Sequence, residues 1–401
     1  MTGRRSRTWR DDRAWQAGFI VGSALGAAAT VLGRRAEKAA RAGGLVDWAG
    51  VERTAIARLR RAPGGLPVEE LRAAEPHYRE AMERIVPALG AALETELPGV
   101  VERSEVVDRA GWVRANTTSF AALMSHLESE LLDQVMPPGG GLAKATMALA
   151  NRWVTTRQLG ILLGFMGQRV LGQYDLAMLS AEVAPGRLLF VEENIRMTAR
   201  ALDVPLGPFR TWIALHETTH AFEFESHPWL RPYLASRLER QLTLFGRDAR
   251  GLGRDAMRGL GRALRGEGDG GHWMEQLMGE EQRRLFRETQ AVMSLLEGFS
   301  DYVMDDVGKA LVPGVERISA RFHERRTRRT PFERAMFRIT GLDLKMEQYR
   351  KGEQFVRAIA AAGGPAALRR LWEGPETMPL HGEIDHPDRW VARVLNAGAG
   401  A

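Results

Sequence analysis

The chain contains no cysteine. Disulfides and thiolate metal sites are therefore excluded, and any bound metal must sit on histidine and carboxylate. A cysteine-free chain fits a reducing compartment, so a cytoplasmic location is expected. Aromatic residues are sparse, at 7%. The Gly/Arg-rich stretch from Phe245 to Gly271 has none interleaved with its arginines, which argues against a nucleic-acid module; it reads as a mobile insertion or lid. No run is apolar and long enough to be a convincing membrane span, and no internal repeat is evident. What is present describes an ordinary globular protein of 401 residues, 44% hydrophobic and 26% charged, with a formal net charge of +6. One large or two modest domains are expected at that length. The positive charge, mostly arginine, favours loose attraction to polyanions or membrane surfaces without specifying either.

The N-terminal extension, residues 1–43, is ambiguous. Arg4, Arg5, Arg7, Arg10 and Arg13 precede a weakly apolar stretch, Ala17 to Leu32, followed by Gly33-Arg34-Arg35. A secretory signal has this charge order, and Ala27-Ala28-Ala29 imitates a cleavage site. The stretch is short of leucine, however, and Gly18, Gly22 and Gly26 recur at the four-residue interval that suits close helix packing. A cytoplasmic packing helix, or weak membrane association through residues 15–33, is favoured over a signal or a span.

Beyond it the sequence is mainly α. Val51 to Arg61, Val68 to Leu93 and Ser119 to Val135 carry helical periodicity, separated by Pro63-Gly64-Gly65 and Pro137-Pro138-Gly139-Gly140. Short β-like runs interrupt at Glu105 to Asp108, Leu176 to Val183 and Arg187 to Glu192. The last two flank Ala184-Pro185-Gly186 and predict a small hairpin just before a central helix. The hairpin either caps the fold or offers an edge for pairing with an extended substrate. The basic run Arg321 to Arg329 reads as a solvated helix face. The expected organisation is a helical domain with the hairpin at 44–204 and a zinc-binding catalytic domain at 205–395, carrying the Gly/Arg-rich insertion 245–271.

That central helix carries His216-Glu217-Thr218-Thr219-His220. Residues four apart share a helix face, so the two imidazoles converge on one point and supply half of a tetrahedral zinc site. Glu217 projects to the side, where it can reach a metal-bound water as general base. Nine histidines are spread over the chain, so a chance match is expected on the order of once per hundred such chains. The competing reading is a surface helix with solvated histidines, but the apolar lead-in Phe209 to Leu215 predicts burial. Pro205, Gly207 and Pro208 mark the helix entry, and His227-Pro228 should end it.

A catalytic zinc needs a third protein ligand and an open position. The metzincin pattern requires glycine and histidine where this chain has Glu223 and Ser226, with His227 one place off. His272 lies in the glycine-rich insertion, a poor place for a rigid ligand. Glu297 is the better candidate. It lies 77 positions after His220, with Asp301 and Asp305 continuing one acidic stripe through an apolar segment. Buried acids of this kind need a compensating charge, although a wet acidic helix edge gives the same pattern. Asp301 would accept a ring N–H from His216 or His220. Tyr349, His323 and His381 are candidate oxyanion donors that the sequence does not rank; Tyr349 is carried forward with Glu217 as catalytic. The leading expectation is a Zn2+-dependent hydrolase, most simply a peptidase or amidase, acting on a peptide or amide of unknown identity. The alternative is a non-catalytic, zinc-stabilised helical binding protein with a closed site, where Asp301 or His272 supplies a fourth ligand.

Several segments together resemble the zincin-like metallopeptidase family of actinobacteria, some members of which are labelled as associated with deazaflavin-coenzyme biosynthesis. They are Val106 to Val113, Arg169 to Asp175, Phe209 through His220 to Leu230, Glu297-Gly298 with Tyr302 to Asp305, and Gln348-Tyr349 with Gly352 and Phe355-Val356. The resemblance runs from about Val46 to Val394. It implies a helical zincin-like metallopeptidase fold and a metal-dependent hydrolase, and says little of substrate. Two departures stand out. Glu193 precedes Asn194 where proline is expected, and Phe299 follows Glu297-Gly298 where histidine is expected.

Overall fold

The computed structural model describes residues 44–135, 142–175, 186–241, 243–244, 278–327 and 342–396. The segment 15–33, the turn at 137–140, the expected strand 176–183 and the insertion 245–271 with His272 lie outside the described residues. The fold is mainly helical with one small sheet. Helix α2 (Val68–Leu93) falls where periodicity places it, and α1 (Trp48–Leu59) starts before the expected Val51, at the Asp47 cap, and ends before Arg61. Helix α3 (Arg109–Val135) begins ten residues before its expected start at Ser119, directly after β1 (Ser104–Val107). Its entry is fixed by Asp108, whose side chain accepts the Gly111 N–H, and by Trp112 and Val113, which are buried. Helix α4 (Leu142–Met166) returns the chain to β2 (Gly172–Asp175) and β3 (Arg187–Val191).

The second strand of the expected hairpin is β3, but its partner among the described residues is β2, which precedes the expected first strand at 176–183. β2 and β3 pair antiparallel, Gly172 opposite Phe190 and Asp175 opposite Arg187. β1 adds on the far side of β3, parallel to it, with Ser104 opposite Leu188 and Val107 opposite Val191. The strand also stops at Val191, one residue earlier than expected, because Glu192 opens the next helix. A parallel neighbour needs a long crossover, here α3 and α4, so local turn signals could not reveal it. As the central strand, β3 is covered on both faces. Leu188 and Phe190 enter the main core with Tyr78, Met82 and Ile85 of α2, while Leu189 and Val191 join a smaller cluster with Val51, Trp112 and Leu163.

Helices α5 (Glu192–Leu202), α6 (Leu206–Glu225), α7 (Glu280–Leu311), α8 (Val315–Thr327) and α9 (Leu342–Arg370, broken by a non-helical kink at Gly364) complete the main body. Phe209, Ile213, Leu215 and Phe222 of α6, Leu295 and Leu296 of α7, and Phe355, Val356 and Ile359 of α9 are buried in the same core as residues of α2. Each such side chain contributes roughly 1.5–3 kcal/mol of transfer free energy on burial. α6 begins after Pro205 and ends at Glu225, one turn's reach before His227-Pro228, as the sequence predicts. Among the described residues no helix is long and apolar enough to cross a membrane.

Two devices anchor α7 and α6 to their neighbours in the core. Where α7 crosses α9, Gly298 lies against the backbone of Gly352 and Glu353, and Gly352 lies against the carbonyl of Ser294. A methyl group at either position would overlap backbone atoms, so glycine sets the helix separation immediately beside Glu297. On the other side, Glu192 is fully buried and receives the Tyr78 hydroxyl at 2.7 Å, Arg196 Nε at 2.7 Å and both Nε and Nη2 of Arg210. This charge-assisted network ties α6 to α2 and α5.

Candidate metal centre

His216 and His220 lie on consecutive turns of α6 with their Nε2 atoms 3.3 Å apart. Glu297 of α7 directs Oε2 at both, 3.7 Å from His216 Nε2 and 3.8 Å from His220 Nε2. These separations exceed a hydrogen bond. They are close to the edges of a tetrahedron around an ion with ligand bonds of about 2.0–2.1 Å, roughly 3.3–3.5 Å. Two imidazole nitrogens and a carboxylate oxygen are the donor set of a catalytic zinc, and among the described residues this trio is the group able to hold a metal. The imidazoles keep 15–17% of their side-chain surface exposed while Glu297 is nearly enclosed, which leaves one face open.

The far nitrogens of the two rings are held from outside the cluster. Nδ1 of His220 lies 2.7 Å from Oε2 of Glu223, and Nδ1 of His216 lies 3.2 Å from both Ser300 Oγ and Met304 Sδ. A proton on Nδ1 leaves the Nε2 lone pair of His220 facing the cluster, the tautomer a metal requires. For His220, Glu223 therefore takes the part that the sequence assigns to Asp301. Asp301 is half-buried one position after Ser300, and Asp305 is ion-paired with Arg357. Burial opposes the charge on His220, yet Glu223, with Glu297 and Glu217 behind it, lifts it to about 9. Burial in turn pushes Glu223 up to about 7 against the pull of His220. A cationic centre is thus favoured among these acids, by a proton or by a metal.

Glu217 points to the sheet side. Its Oε2 accepts the Tyr174 backbone N–H at 3.1 Å. In β2, an edge strand, that amide is not needed by β3 and is free to orient the carboxylate. Gly172 is packed against the same side chain: a Cβ there would stand 2.6 Å from Glu217 Cγ and 2.8 Å from Oε1. The end of α6 is fixed to the strand by Glu225, which accepts the Tyr174 hydroxyl at 2.8 Å and pairs with Arg103 at 2.7 Å. Thr218 and Thr219, buried on the opposite face, return their hydroxyls to the carbonyls of Ala214 and Leu215.

The structure thus brings His216, His220 and Glu297 together, with Glu217 beside them. Tyr349 lies on α9 one turn before Gly352, and His323 lies on α8, but both side chains are outside the described set. His381 is exposed. Sequence reasoning missed Glu223, Ser300 and Gly172. Glu223 carried a readable signal, since the third residue after His220 shares its helix face. The two departures have local accounts. Glu193 accepts the backbone N–H groups of Leu66 at 3.1 Å and Arg109 at 2.9 Å, so a carboxylate ties α5 to the start of α3. Phe299 is buried edge-on against Trp372, with ring centres 5.0 Å apart.

Residues 46–391 match the model of the family described as zincin-like metallopeptidase. The chain belongs to this family. A crystal structure from Chloroflexus aurantiacus, provisionally described as a hydrolase with a novel fold, is similar to it over 87% of this chain and 98% of that one, with a TM-score of 0.62 and 33% identity. No curated protein matches the chain. Family and neighbour together support a hydrolase, and membership among the zincins implies zinc in general terms.

Proposed function

We propose that this zincin-like protein is a zinc-dependent hydrolase of peptide or amide bonds, with His216, His220 and Glu297 as metal ligands. The observation that carries the reading is the convergence of Nε2, Nε2 and Oε2 from two helices at 3.3, 3.7 and 3.8 Å. A zinc ion held there supplies Lewis acidity and a water acidified toward neutrality. Glu217, oriented by the Tyr174 amide, takes a proton from the attacking water and delivers it to the leaving nitrogen. Glu223 and Ser300 keep the imidazoles turned toward the ion. Tyr349 is the proposed donor to the developing oxyanion. The cysteine-free composition supports a cytoplasmic setting.

Metal analysis of wild-type protein beside Glu297→Ala and His220→Ala tests the ligand set. About one zinc per chain, lost or greatly weakened in both variants, is the expected result. Zinc that persists without Glu297 refutes its assignment. X-ray absorption showing four protein donors instead of three and a water points to a structural site. Once a substrate is found, Glu217→Gln should retain zinc and lose turnover, and retained turnover removes Glu217 as base.

A further inference from the structure

One turn beyond the metal ligands, α6 borders a cavity of about 460 Å3 that also touches α7, α9 and the end of α2. That volume suits a small organic molecule. Its walls are aromatic: Phe222, Phe299, Tyr302 and Trp372 line it, and His227 stacks on Trp372 with ring centres 4.9 Å apart. Its charge is one-sided. Glu94, Glu223, Asp306 and Glu373 contribute carboxylates against the single guanidinium of Arg369. Arg369 is paired with Glu94, and Glu373 with Arg370. Burial holds His227 below its ordinary range, so it adds no compensating charge. Asp306 has no ion-pair partner among the described residues.

Two further atoms in the lining residues lack hydrogen-bond partners among the described residues. Glu223 spends Oε2 on His220, but its Oε1 is buried and bonded to nothing, and the indole N–H of Trp372 is in the same condition. A native protein rarely leaves a carboxylate oxygen buried and unsatisfied, because the desolvation cost is not returned. Aromatic faces attract cations, and a carboxylate edge supplies the matching charge-assisted acceptor. We propose that this cavity is a binding site for a small organic cation, an ammonium carried on an apolar or aromatic body, with its charge set against Glu223 and Asp306. The cavity shares Glu223 with the metal centre, but its lining residues do not ligate the metal, its test reads amine binding alone, and the His216→Ala arm tells the two sites apart.

Calorimetric titration of the full chain with 2-phenylethylamine, compared with the neutral, near-isosteric 2-phenylethanol, decides it. Saturable binding of the amine, with the alcohol at least roughly tenfold weaker, is expected for a charge-assisted contact. Glu223→Gln should weaken the amine by a similar factor, and Asp306→Asn, at an exposed position, by roughly three- to fivefold. Equal binding of amine and alcohol, no saturable binding up to about 10 mM, or amine binding unchanged in both variants overturns the proposal. Loss of amine binding in His216→Ala also overturns it, because the amine then occupies the metal centre. If Glu223→Gln does not fold, the amine-to-alcohol ratio and Asp306→Asn still decide the matter.

Discussion

Replacing Glu223 by glutamine isolates how a residue that never touches the metal supports it. The substitution keeps shape and volume but exchanges the charged acceptor 2.7 Å from His220 Nδ1 for a neutral one. The ring then loses its strongest orienting partner, and its Nε2 becomes a weaker donor. Groups that hold a ligating histidine in this way are typically worth about 10- to 100-fold in metal affinity. At roughly 1.4 kcal/mol per tenfold, that removes about 1.4–2.7 kcal/mol of zinc-linked stability when free zinc is buffered well above the dissociation constant. Unfolding entropy of about 2.1 cal/mol/K per residue over the roughly 290 described residues gives about 0.6 kcal/mol per degree, so the zinc-induced rise in Tm should shrink by about 2–5 °C. The assay is competition against a chromophoric chelator, paired with melting curves in zinc buffer and in EDTA. Glu225→Gln is the control, since that carboxylate faces Arg103 and Tyr174 and not the imidazoles. Unchanged zinc affinity in Glu223→Gln, or an equal loss in Glu225→Gln, refutes the reasoning.

Gly172→Ala should displace the Glu217 carboxylate, because the new methyl would stand 2.6 Å from its Cγ; a melting loss of about 1–3 kcal/mol with zinc stoichiometry intact is expected. Gly352→Ala should be far harsher, since the methyl meets the Ser294 carbonyl on the facing helix; soluble yield and zinc content should fall together, and wild-type zinc content would show that this crossing does not place Glu297. Tyr78→Phe withdraws the hydroxyl from buried Glu192, which keeps Arg196 and Arg210; denaturant titration should show a loss of about 1–2 kcal/mol without change in zinc binding. Zinc affinity should fall as pH is lowered through about 9, where His220 takes up a proton in the metal-free protein, because both imidazoles must be neutral to ligate; an affinity independent of pH between about 9.5 and 5.5 would show that they do not.

Much of the local architecture was legible because it depends on spacing along one chain. The interval from His216 to His220 places two nitrogens on one helix face whatever surrounds them. Pro205 and His227-Pro228 bound that helix because proline chemistry acts on its immediate neighbours. Tyr78, Met82, Ile85 and Leu89 recur at helical intervals, and all are buried in the main core. The partner that β3 takes among the described residues, Gly172–Asp175, carried no strand signal, and its first residue is a glycine that makes room for Glu217.

The absence of cysteine also fixed, from composition alone, that any metal here rests on imidazole and carboxylate. Tertiary structure decided that the acid reaches the histidines. Sequence reasoning favoured Glu297 over Asp301 and Asp305 as the ligand, and the packing of α7 against α6 is what carries its Oε2 to 3.7 Å from His216 Nε2. The parallel pairing of β1 with β3 and the cavity beside Glu223 were decided the same way. Sequence periodicity determines which face of an element is apolar. Which faces meet is set by burial summed over the whole chain, and that sum has no local signature.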